Sequence, residues 1–160
     1  MNEITRITDQ LERAFHGPAW HGPSVIESLA GVNAVQAATR PLSGMHTIWE
    51  ITLHIAAWTG AVTERLQTGQ PQLPAEGDWP EIADASEAGW AATLELLRQR
   101  HAELKDALAS LTGEQLENRL GASYNAPTAS GFTIYETAHG VIQHHLYHAG
   151  QITLLVKALS

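Results

Sequence analysis

The chain of 160 residues contains no cysteine and only 9 Lys+Arg against 17 Asp+Glu. Without cysteine there can be no disulfide, thiolate metal site, iron–sulfur cluster or cysteine nucleophile, so any metal site has to be built from imidazole, carboxylate or amide groups. The compartment is not fixed by this absence. The shortage of basic residues, with a formal charge of −8, argues against an electrostatic grip on nucleic acid, which needs clustered Lys and Arg. It also disfavours anionic membrane surfaces. No run approaches the roughly 18 apolar residues of a membrane span, and Met1 to Gln10 carry no basic leader ahead of an apolar stretch. A soluble, cytoplasmic protein is expected. Also missing are H-E-x-x-H, G-x-S-x-G and a glycine-rich phosphate loop, which removes metalloprotease, serine hydrolase and nucleotide-binding readings.

What is present in excess is histidine: there are 9, as many as all Lys and Arg together. The length fits a single domain over residues 1–160, since one core usually serves roughly 100–200 residues, and 44% hydrophobic residues can fill it. Alternating Val/Ile/Thr runs are absent while Ala, Leu, Glu and Gln dominate, so the periodicity to follow is helical.

Ile4, Ile7, Leu11, Ala14 and Phe15 recur at three- and four-residue steps and predict a first helix ending at His16-Gly17-Pro18. Ser24 and Asn33 can cap short helices, the first over Val25 to Leu29, and Thr39 to Met45 reads as loop. Thr47-Ile48-Trp49-Glu50 has the capping-box arrangement and predicts a long helix with Ile48, Ile51, Ile55, Trp58 and Val62 inward, closed by Thr68-Gly69. Gln70 to Ala85, with Pro71, Pro74, Gly77 and Pro80, is expected to be a crossover. Ser86 opens a third long helix with a stripe of Trp90, Leu94, Leu97, His101, Leu104, Leu108 and Leu111, ending near Thr112-Gly113. A short turn follows, then the Gly/Pro/Ser-rich loop Gly121 to Gly131. Thr133-Ile134-Tyr135-Glu136 is a second capping box, opening a helix that runs to the C-terminus. The expectation is an all-α four-helix bundle with long crossover connections, not simply up-down-up-down.

His144 and His148 are four apart on this last helix, a metal-chelating spacing on one face, shared with Thr137, Val141, Leu155 and Leu159. Inward imidazoles need a metal, a carboxylate or a water network to satisfy their nitrogens. His54, in the apolar stripe of the other capping-box helix, is the third candidate ligand. Three imidazoles leave coordination positions open, as a catalytic metal site requires. His145 is the reserve ligand, and His101 is a core residue or a lining residue of the site. His139 falls on the opposite face. His16, His21 and His46 lie at helix ends or in loops. Glu136-Thr137-Ala138-His139 is a lone E-x-x-H, whereas carboxylate-bridged di-iron bundles need two.

These segments resemble the DinB/YfiT-like superfamily of small four-helix metalloproteins. The likeness is carried by Ala19-Trp20-His21-Gly22-Pro23-Ser24, Ile48-Trp49-Glu50 to His54-Ile55-Ala56-Ala57-Trp58, Asp78-Trp79-Pro80, and His139-Gly140-Val141-Ile142-Gln143-His144 to Tyr147-His148-Ala149-Gly150-Gln151-Ile152. The family's three-histidine metal site maps onto His54, His144 and His148. The resemblance further implies a divalent metal such as zinc or nickel, frequent homodimers, and relatives that are thiol-dependent transferases, isomerases or hydrolases.

The leading expectation is therefore a metalloenzyme acting on a small molecule, in which the metal lowers the pKa of bound water or of an external low-molecular-weight thiol. Gln151, next on the ligand face, is the candidate to orient a bound group, or else satisfies backbone or solvent. Glu50 is a candidate partner for an imidazole N–H beside its capping role. Trp49, Trp58, Trp90 and Tyr147 either wall a pocket or belong to the core. The alternatives are a non-catalytic, metal-stabilised dimeric binding module related to stress, and a hydrogen-bonded histidine core that binds nothing.

Overall fold

The computed structural model describes residues 2–121 and 131–159. Among these, the regular structure is helical: α1 (Glu3–Phe15), α2 (Val25–Leu29), α3 (Ala34–Ala38), α4 (Ile48–Thr68), α5 (Glu87–Ala109), a short 3₁₀ turn (Glu114–Glu117) and α6 (Ile134–Ala158). Each α-helix starts where a side chain can take up its orphan amides. Asn2 caps α1, and Ser24, Asn33, Thr47 and Thr133 each form a reciprocal box with the Glu or Gln three residues on. At the end of α4, Gly69 adopts φ 69°, the left-handed conformation that glycine reaches without a Cβ penalty.

α5 stops short of the expected Thr112-Gly113. Thr112 is already part of the next cap, its N–H donating to Gln115 Oε1 at 2.7 Å, and this draws the chain out of the helix after Ala109. Trp58 is half-buried, not inward, because its indole turns toward the crossover. The expected loop from Gly121 to Gly131 lies, between 122 and 130, outside the described residues. On either side of it the chain is clamped by Leu120 N–H to Phe132 O and Ile134 N–H to Asn118 O, at 3.0 and 2.9 Å.

The four long helices form a ring in which α4 packs on α5 and α6, and α1 packs on the same two. Helices α1 and α4 thus face each other across the diagonal, as do α5 and α6. Trp49 meets Thr93 near the starts of α4 and α5, and Gly60 meets Arg100 further along both, so these neighbours run parallel. A parallel pair needs a return connection as long as the helix, which the proline-punctuated crossover 69–86 provides. One apolar cluster gathers Phe15, Ile48, Trp49, Ile55, Trp90, Leu97 and Ile152; another gathers Ile7, Leu11, Val62, Leu104, Leu108 and Ile142. No helix of the described residues is long and apolar enough to cross a membrane.

Candidate metal centre

The capping box at Thr47 sets the start of α4, and burial of its Ile48, Ile51 and Ile55 face turns His54 toward α6. There it meets His144 and His148, one turn apart. The Nε2 atoms of His54 and His144 are 2.9 Å apart, those of His144 and His148 3.1 Å, and the ligand atoms of the three lie within 4.8 Å of one another. His54 and His148 are buried.

The outer nitrogens decide what the inner ones can do. His54 Nδ1 is 2.6 Å from the carbonyl oxygen of Asp78. A carbonyl only accepts, so Nδ1 carries the proton and Nε2 presents a lone pair inward. His148 Nδ1 is 2.7 Å from Gln151 Oε1, which fixes the same tautomer. His144 Nε2 thus faces two lone pairs and can donate to one of them at most, while its own Nδ1 is buried without a partner. At least one inward lone pair is left with no donor. Burial, and then the neighbouring imidazoles, push His144 down to about 2, and burial pushes His148 down to about 4 against the pull of Gln151. His54 is lowered as well, by burial, with Asp78 opposing. Near neutral pH the cluster is uncharged and donor-poor, the state in which imidazoles bind metals. The Nε2 spacings are close to the ~3.3 Å that separates nitrogens held about 2.0–2.1 Å from a tetrahedral ion. These residues fit a divalent metal.

The crossover supplies a wall. Trp58 Nε1 donates to Asp78 Oδ1 at 2.6 Å, which pins Asp78 where its carbonyl reaches His54. Trp79 stacks on His54 with centroids 4.0 Å apart, and His46 stacks on Trp79 at 3.4 Å. Asp78 and Trp79 are the neighbours of His54 that periodicity missed. Their signal was the Asp78-Trp79-Pro80 segment of the crossover, which by itself does not say which helix it covers.

The remaining histidines separate clearly. His145, the reserve ligand, lies outside the cluster. It is 0% exposed, with Nε2 3.0 Å from Thr59 Oγ1; the rotation of one residue along α6 puts it into the core. His101 is a core residue too, stacked on Phe15 at 3.7 Å and donating to Glu12 at 2.8 Å. Glu12, His16 and His101 form a second grouping of ligand type, but Lys105 Nζ, 3.4 Å from Glu12 Oε1, already supplies a cation there. His139 packs against Tyr135. Glu50 is no imidazole partner for His54. It closes the cap and pairs with Arg40 at 2.7 Å, with His46 at 3.4 Å. Trp49 and Trp90 are core, donating to Thr93 and to Val32 O. Tyr147 is 65% exposed and touches His148 edge-on.

The DinB superfamily model matches residues 20–152, a stretch that contains all three histidines. This chain belongs to the DinB superfamily. A crystal structure of a conserved protein from Enterococcus faecalis has a TM-score of 0.72 to it at 16% identity, over 99% of this chain and 97% of that one. At that identity the likeness shows the DinB-type fold alone. No curated protein matches the sequence.

Proposed function

We propose that this DinB protein is a divalent-metal-dependent enzyme, with His54, His144 and His148 as the ligands and open positions facing a small-molecule substrate. The observation that supports this reading is the surplus of inward Nε2 lone pairs, two of them enforced by the Asp78 carbonyl and the Gln151 amide. A single divalent cation would accept all three lone pairs at once.

A divalent ion held there, zinc or nickel as the family resemblance implies, would supply Lewis acidity to a water or thiol presented to it. The chain's own groups do the rest. Asp78 and Gln151 hold two rings in their binding tautomers, and Trp79 covers the flank of His54 against water. With no cysteine in the chain, sulfur chemistry draws on an external low-molecular-weight thiol, and the reaction is thiol transfer or hydrolysis. The homodimer expected from the resemblance belongs to the same reading, and sedimentation equilibrium checks it.

The deciding experiment is elemental analysis of untagged protein beside the His54→Ala/His144→Ala/His148→Ala variant. About one divalent ion per chain is expected in the first and none in the second; equal contents would falsify the ligand assignment. The loaded protein is then assayed for metal-dependent thiol transfer to electrophiles and for ester and amide hydrolysis. A metal that binds tightly without supporting either reaction makes the protein a metal-stabilised binding module instead.

A further inference from the structure

Between α4 and α6 lies a cavity of about 660 Å³, within the roughly 300–1,000 Å³ of small-molecule sites. Trp58, Val62, Phe132, Tyr135 and Val141 give it apolar walls, and His144 of the metal cluster lines it too. Arg65 is in the same wall and only 6% exposed. The Trp58 ring stands between the two groups, 6.5 Å from the His144 ring and 5.4 Å from the Arg65 Cζ.

Among the described residues Arg65 is a buried cation without an anion. Its Nε donates to the Gln72 carbonyl at 2.7 Å, and its Cζ stands 5.4 Å from the centroid of the Trp58 ring. Its Nη2 is buried with no hydrogen-bond partner. Burial alone pushes the guanidinium below its usual pKa, with no charged neighbour acting against it. Glu136, the carboxylate in the cavity wall, is committed elsewhere: it accepts from the Thr133 N–H at 2.7 Å and the Thr133 hydroxyl at 3.1 Å. An unpaired buried charge is expensive to keep, and a guanidinium offers a planar fork that matches a carboxylate. In the same wall His139 also has a buried Nε2 without a partner.

We propose that this cavity is the substrate pocket of the histidine centre and selects a carboxylate joined to an apolar body, Arg65 taking the carboxylate and the aromatic walls the body. The placement of the reactive end at the histidines rests on the metal reading; the carboxylate preference does not.

Calorimetric titration with phenylpropanoate and phenylbutanoate, each beside its neutral primary amide, tests the preference. The carboxylates are expected to bind about tenfold or more tightly than the amides, the return on one charge-assisted bidentate contact. The same preference is expected in the His54→Ala/His144→Ala/His148→Ala variant and lost in Arg65→Met, whose metal content stays at the wild-type level. Arg65→Gln, which can still donate to Gln72, serves as the second neutral variant if the methionine change does not fold. No binding, equal affinities, a preference that survives loss of the guanidinium, or one that disappears with the histidines overturns the proposal; the last outcome would put the carboxylate on the ion. A preference that persists in a protein whose metal content is unchanged by the histidine substitutions upholds the pocket while the metal reading fails.

Discussion

A single amide oxygen decides whether His148 offers a lone pair or a proton to the cluster. Gln151 Oε1 accepts from Nδ1 at 2.7 Å, and without it the ring is free to carry its hydrogen on Nε2, pointing inward. Gln151→Leu is therefore expected to weaken metal binding by about 10–100-fold, the usual effect of removing the group that orients a ligand, with little change in thermal stability because Gln151 is only half-buried. Gln151→Glu keeps the acceptor and is expected to keep wild-type affinity. Competition against a chromophoric chelator measures both, and wild-type affinity in the leucine variant would sink the tautomer argument. The same measurement separates two roles for Gln151, since a residue that only met solvent would move neither variant.

At the scale of elements, the crossover 69–86 is the part that no helix rule governs. It returns the chain between parallel neighbours and on its way delivers the Asp78 carbonyl and the Trp79 ring to His54. The tether is the carboxylate of Asp78 on the Trp58 indole. Asp78→Ala is expected to cost about 1 kcal/mol, one net hydrogen bond. Amide exchange should quicken around the crossover while protection along α4 stays unchanged; equal loss of protection in α4 would mean that the crossover is not held separately. This division also marks what was legible in the sequence. Capping residues and apolar spacing announced the six helices, because those signals are local. The i,i+4 pair and His54 were legible for the same reason. The contacts of Asp78 and Trp79 with His54 and the depth of His145 were not, since each depends on how a proline-broken segment closes over α4 or on a rotation of one residue that spacing does not resolve.

For the whole molecule, burying histidines unprotonated makes the apo fold acid-sensitive. His144, His145 and His148 are pushed down to about 2, 3 and 4, by burial first in each case, while in the unfolded chain they titrate near 6.5. The unfolded state then binds more protons than the native one, so stability rises with pH. The contribution is complete above about pH 6.5 and is lost as pH falls from there toward the folded values, on the order of 2 kcal/mol for each group by pH 5. Against a typical total of about 5–15 kcal/mol, three such groups bring the apo protein close to unfolding in mild acid. Urea unfolding of chelator-treated protein at successive pH values measures the slope. His145 isolates one proton from the metal question. Its Nε2–H donates to a Thr59 hydroxyl that already donates to the Ile55 carbonyl, and its Nδ1 has no partner, so His145→Leu leaves no buried donor stranded. That variant is expected to lose about 1.4 kcal/mol per pH unit of the slope between about pH 6 and pH 4 while retaining its metal. An unchanged slope would mean that His145 is protonated in the native state and that the buried interior tolerates its charge.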